Sequence, residues 1–188
     1  MKLHLGCGSR FIPGFVHVDA VAHPHVDHVA SAEDLSFIRD GSVELIYACH
    51  LLEHFKRQDV ERVLGEWWRV LAPGGPLRVA VPDFEALCRL YATHGQLQLI
   101  IGPLYGRQDY EYNIHYNTFD FASLSATLER VGFVNVRRYD WRQTEHANVD
   151  DFSQAYIPHM DKENGFLISL NVECDKPAPA REPTPPRK

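Results

Sequence analysis

Short apolar runs separated by turn-forming residues dominate the first half of the chain: KLHL at 2–5, FVHV at 15–18, VDHVA at 26–30, VELIYA at 43–48 and LRVAV at 77–81. Several are bounded by Gly, Pro or Asp, so each predicts a buried strand. Between the last two, Val60, Val63, Leu64, Trp67, Val70 and Leu71 recur at the spacing that gives a helix one apolar stripe. Pro73, Gly74 and Gly75 then end that helix and turn the chain. Strands joined through such a helix run parallel with a right-handed crossover, so the predicted class is α/β.

Farther along, FEALCRLYATHG predicts a helix over 84–93, followed by a loop rich in Gly, Tyr and charge, GPLYGRQDYEYNIHYN, that runs to Asn117. DFASLSATLERVGF predicts another helix, with Asp120 as its cap, Leu124, Leu128 and Val131 on its apolar face and Gly132 as its left-handed exit. Two more strands are expected at 133–139 and 165–173, joined by a long polar stretch that is partly helical. Residues 1–175 are read as one domain. The remainder, 176–188, carries five prolines and no apolar anchor, which predicts an extended, disordered tail. No internal repeat is present.

Composition narrows the function classes. A chain of 188 residues that is 45% hydrophobic suits one domain with a sizeable core. The formal net charge of −6 gives no global attraction for nucleic acid or for an anionic membrane. Cys7, Cys49, Cys88 and Cys174 are scattered without a C-x-x-C pair, which predicts reduced thiols and a cytoplasmic protein. No apolar segment approaches the roughly 18 residues of a membrane span, and the opening residues read as a strand rather than a secretory signal.

Chemistry-bearing residues gather after the strands. LHLGCGS ends the first one, and Gly6 and Gly8 allow the backbone to approach a ligand at the carboxyl end of a parallel strand. Phe11 stands where a dinucleotide G-x-G-x-x-G motif needs its third glycine, which argues against a nicotinamide cofactor. Asp19 closes the second strand, as a ribose ligand or as a turn residue. CHLLEHF places His50, Glu53 and His54 in the H-x-x-E-H pattern of inverted zinc peptidases. No third metal ligand is identifiable from spacing, and a peptidase leaves the glycine loop unexplained, so no metal is expected. HPHVDH, with His23, His25 and His28, reads as a polar edge segment, because extended backbone sends His25 and His28 to opposite faces.

In order, LHLGCG, VHVD, SAEDLSF, ELIYACHLLEHF and RVLAPGGPLRVAVPD resemble the class I S-adenosylmethionine-dependent methyltransferases, over roughly residues 2 to 174. The likeness is to small members with a very early glycine motif, regarded as acting on small molecules or glycans. The resemblance implies a mostly parallel seven-stranded sheet with an antiparallel C-terminal strand. It assigns Gly6, Cys7 and Gly8 to the methionine part of the cofactor, Asp19 to the ribose, and Ser31, Ala32 and Glu33 to the adenine. Many relatives have Asp where this chain has Ser31. Cys49 and His50 fall in the segment that walls the methyl-transfer pocket.

Only eleven positions separate Gly8 from Asp19, too few for a usual helical crossover. The covering helix is therefore reduced to a turn around RFIPG, which leaves apolar sheet surface to be covered. Dimerisation is one answer, with Trp67 and Trp68 as large residues available to serve it, although burial in the core is the simpler expectation for Trp67. A hydroxyl acceptor needs a base, and histidine titrates near working pH. The candidates are His50 first, then His54 and His115, with Tyr112 and His115 as acceptor contacts. A non-catalytic S-adenosylmethionine-binding or regulatory module is the competing reading. A nucleic-acid methylase is disfavoured, since neither an Asn/Asp-Pro-Pro-Tyr motif nor a Pro-Cys pair follows the fourth strand.

Overall fold

The structure, a computed structural model, describes residues 1–159 and 161–179. The tail expected to be disordered falls, over 180–188, outside the described residues. The first strands form as their apolar runs predict: β1 (Lys2–Leu5), β2 (Phe15–Asp19), β3 (His28–Val29), β4 (Leu45–Cys49) and β5 (Pro76–Pro82). β6 (Val134–Arg138) and β9 (Ser169–Asp175) complete a seven-stranded sheet of order β3-β2-β1-β4-β5-β9-β6. Every pairing from β3 to β5 is parallel, whereas β9 runs antiparallel to both β5 and β6. β7 (Tyr156–Ile157) and β8 (Phe166–Leu167) form a separate short hairpin.

The helices follow their stripes. α1 (Val60–Val70) buries Val60, Val63, Leu64, Trp67 and Val70. α2 (Phe84–His94) starts at Asp83, whose side chain accepts from the amides of Glu85 and Ala86. α4 (Phe121–Val131) opens on a capping box between Asp120 and Ser123 and exits through Gly132, as its sequence predicts. α3 (Gln98–Tyr105) corrects the expected loop, because its last turn takes in Gly102 through Tyr105 with Pro103 inside. Ile100 packs there with Leu87, Leu90 and Ile168, and that burial overrides the breaker residues.

The crossover from β1 to β2 contains turns and no helix, as the short spacing requires. The two sheet faces are covered differently. Leu3, Leu5, Val18, Ile46, Val79 and Leu170 belong to the large core that includes α1 and α4. The opposite face is polar at its centre, where His4 lies between His17 and Tyr47 in register and all three are buried. Ile12 of the crossover loop, Phe15 and Val149 pack on that face, and Tyr47 Oη donates to Asp151 Oδ2 at 2.6 Å. Residues of the chain itself thus cover part of that face. Trp67 is 0% exposed and donates its indole N–H to Ala32 O at 2.7 Å, so it is a core residue and not a contact surface. Trp68 is half-buried beneath Lys176, whose Nζ sits 3.9 Å over its ring. All four cysteines are unpaired, and no helix of the described residues is long and apolar enough to cross a membrane.

Candidate active site

The carboxyl ends of β1, β2 and β4 meet where open parallel sheets bind ligands. Gly6 and Gly8 both take left-handed backbone, at φ of 62° and 51°. At Gly6 an added Cβ would stand 2.7 Å from Leu51 Cδ1, so the glycine lets Leu51 close the wall. At Gly8 an added Cβ would meet no atom within 4 Å, so the loop opens onto free space. Cys7 between them is buried, and burial next to the Asp19 carboxylate pushes its thiol up to about 12. It is a packing residue of the loop rather than a nucleophile.

Asp19 is the hinge of this end of the sheet. Its Oδ2 accepts from Gly8 N at 2.7 Å and its Oδ1 from Val21 N at 2.8 Å, while the carboxylate stays partly exposed, with lone pairs left for a further donor. The backbone of Ala30 donates to Asp19 O at 2.9 Å, which brings 31–33 alongside. Ser31 Oγ accepts weakly from Glu33 N at 3.4 Å. Ala32 is buried, and its carbonyl is taken by Trp67. The Glu33 carboxylate is paired with Arg62 at 2.6 Å. That pair borders a surface hollow of about 650 Å³ also lined by Glu66 and Arg69. Glu66 and Arg69 pair at 2.7 Å, so two of the hollow's three carboxylates already face arginines.

The segment after β4 turns sharply. His50 has φ of 50°, and Leu52–His54 form one 3-10 turn instead of a helix. The two imidazoles of the H-x-x-E-H pattern therefore do not share a helix face. His50 Nε2 lies 3.1 Å from Ser169 Oγ, which itself donates to Asn171 Oδ1. Its Nδ1 approaches Glu53 Oε1 to 3.3 Å. Its Nε2 is thus held by Ser169, and burial lowers the pKa of His50, the first candidate base, to about 3. Cys49 beside it is buried, and burial raises its thiol well above the ordinary range.

The loop before α4 is strapped onto this turn. Tyr116 N donates to Glu53 O at 2.8 Å, and His54 Nδ1 lies 3.1 Å from Ile114 O. His115 is thereby brought against His54, with ring centroids 4.7 Å apart, and its Nδ1 lies 2.8 Å from Pro103 O. Glu53 is 0% exposed, and desolvation pushes its carboxyl up to about 8. The third potential ligand missing from the sequence is thus present: one ligand-type atom each of Glu53, His54 and His115 lies within 4.8 Å of the others. His23 and His25 stack at 5.9 Å but belong to no such group among the described residues.

Three residues at this end of the sheet escape sequence reasoning. Phe152, 60% exposed, packs its ring 5.4 Å from that of His50. Tyr110 lies near enough to Asp19 for the carboxylate to help raise its pKa, after burial. Tyr112, expected as an acceptor contact, is half-exposed beside Tyr110 at 6.3 Å. Ser169 reaches His50 from the far strand β9. A tyrosine-rich loop was the only sequence signal for any of them.

Residues 7–79 match the family described as the methyltransferase domain. No curated protein matches the chain. Among solved structures, it is similar to a SAM-dependent methyltransferase from Archaeoglobus fulgidus, at 14% identity and a TM-score of 0.57 over 93% of this chain and 85% of that one. It is also similar to one from Methanosarcina mazei, at 16% identity and a TM-score of 0.55 over 94% and 92%. A third similar structure is the 1,6-didemethyltoxoflavin-N1-methyltransferase of Burkholderia thailandensis with S-adenosylhomocysteine bound, at 14% identity and a TM-score of 0.56 over 94% and 70%. Residues 7–79 thus match the methyltransferase domain, and the chain as a whole shares its fold with the solved S-adenosylmethionine-dependent methyltransferases.

Proposed function

We propose that the protein transfers a methyl group from S-adenosylmethionine to a small-molecule or glycan-type acceptor. The observation that carries this reading is the Gly8 loop, left-handed, fastened to Asp19 and open to free space where a side chain would stand. S-adenosylmethionine supplies an already activated methyl group when bound. In this reading the protein contributes position. Gly6 and Gly8 give the methionine part close backbone approach, Asp19 accepts the ribose hydroxyls, and the backbone of 31–33 borders the adenine. Cys49 and His50 form the wall beside the reacting centre.

His50 is assigned as a positioning residue, held between Ser169 and Glu53. Tyr110, Tyr112 and Phe152 present exposed rings at the same end, which favours an acceptor with an apolar or sugar face. The unpaired cysteines fit a cytoplasmic setting. A single chain is taken as the working unit, because its own residues cover part of the sheet face that lacks a helix; light scattering at micromolar concentration should return the monomer mass, and a dimer would reject this point.

The decisive experiment has two arms. Calorimetry with S-adenosylhomocysteine should show saturable binding, and methyl transfer should be detected against a panel of small hydroxyl, amine and glycan acceptors. Binding without any transfer would favour a regulatory module of the same fold, and no binding would reject both readings.

A further inference from the structure

The turn at Leu52–His54 and the strap Ile114–Asn117 enclose a cluster that methyl transfer leaves without a task. Glu53 is fully buried, and neither of its carboxylate oxygens has a hydrogen-bond partner. His50 Nδ1 comes to 3.3 Å from one of them without the alignment of a hydrogen bond. A buried carboxyl group without partners is costly, and native proteins place such groups opposite a charge or a metal.

The neighbouring imidazoles are already oriented. A carbonyl only accepts, so the contacts to Ile114 O and Pro103 O put the hydrogen on Nδ1 of His54 and of His115. In a neutral ring each Nε2 is then the unprotonated nitrogen and carries the lone pair. Metal-binding histidines are oriented in this way, one ring nitrogen donating to a backbone carbonyl while the other faces the ion. The strap is held by backbone bonds from Tyr116 N and Asn117 N to Glu53 O, at 2.8 and 3.3 Å, so the cluster forms without help from an ion.

We propose that Glu53, His54 and His115 form a binding site for a first-row divalent cation of the zinc type, with at least one coordination position left to water or to an oxygen ligand. Two imidazoles and one carboxylate suit zinc and its neighbours better than magnesium or calcium, which prefer all-oxygen shells. Ligand atoms about 2.0–2.2 Å from a zinc ion stand roughly 3–3.5 Å apart. Side-chain rotation can close the cluster from its present 4.8 Å limit. His50 supplies no ligand, since its nitrogens face Glu53 and Ser169.

The test uses the metal alone and is independent of methyl transfer. Chelator-treated full-length protein is titrated with Zn²⁺, Mn²⁺ or Mg²⁺ by calorimetry and by thermal unfolding. Wild type should bind one Zn²⁺ saturably and melt higher with it, with little response to Mg²⁺. Glu53→Gln and His115→Ala should each weaken Zn²⁺ binding by more than the roughly 10- to 100-fold that loss of an outer-sphere partner costs. Glu53→Gln should also melt no lower than wild type without metal, because it removes an unpaired buried carboxyl. A His23→Ala/His25→Ala double variant should bind as wild type does. Absence of saturable Zn²⁺ binding, or binding that survives Glu53→Gln and His115→Ala but is lost in the His23/His25 variant, would overturn the assignment.

Discussion

Gly8 donates its backbone N–H to the Asp19 carboxylate at 2.7 Å, fastening the loop after the first strand to the end of the second. One side chain therefore shapes the glycine loop and remains partly open to a ligand. Asp19→Ala should weaken S-adenosylhomocysteine binding by about 1.5–3 kcal/mol, the scale of hydrogen bonds to a charged group. Calorimetry on wild type and variant checks this, and equal affinities would remove Asp19 from the site.

Gly8 and Gly14 form a matched pair. Both have left-handed backbone, at φ of 51° and 83°, and an added Cβ at either meets no atom within 4 Å. Alanine should cost each position about 1 kcal/mol of conformational strain. Only at Gly8 does the methyl group enter the space read as the cofactor's. Gly8→Ala should lose ligand affinity beyond its loss of stability, while Gly14→Ala should lose stability alone, as paired melting and binding measurements will report.

His4 gives the fold an acid limit. It is 2% exposed, burial lowers its pKa to about 3, and His17, His146 and His25 add repulsion to its charged form. An unfolded histidine titrates near 6.5. Between these values the unfolded chain binds more protons, so the stability tied to neutral His4 is fully present above pH 6.5 and is lost as pH falls toward 3. Urea unfolding at pH 7 and pH 4.5 should show a smaller drop for His4→Phe than for wild type, by about 2–3 kcal/mol. Equal drops would mean that His4 is not the group that titrates.

Lys176 closes the far end of α1. Its Nζ donates to Trp68 O at 2.8 Å and to Leu71 O at 2.7 Å, so a cation sits on carbonyls that the helix leaves open. Burial lowers its pKa, which makes the contact part of the packing as well as of the charge balance. Lys176→Ala should cost about 2 kcal/mol, roughly 4–8 °C in melting temperature at this chain length. Lys176→Met should recover the packing share and not the hydrogen bonds. The residue was read as the start of the tail; it lies inside the folded body.

The sequence by itself determined whatever depends on neighbours along the chain. β1, β2, β4 and β5 follow from apolar runs bounded by turn residues, α1 and α4 from their stripes and caps, and the Gly6–Gly8 loop and Asp19 from their places at strand ends, because strand, helix and turn preferences act over a few residues. Tertiary structure decided what local periodicity cannot carry. The Gly102–Pro103 pair read as loop but was drawn into α3 by the burial of Ile100. His4, His17 and Tyr47 looked like interruptions in apolar strands, and only strand register made them one buried polar face. His50 looked free until β9 brought Ser169 to it, and His54 gained His115 only because the strap bonds to the Glu53 backbone. These meetings depend on the path of loops and the order of strands, and no spacing in the sequence encodes either.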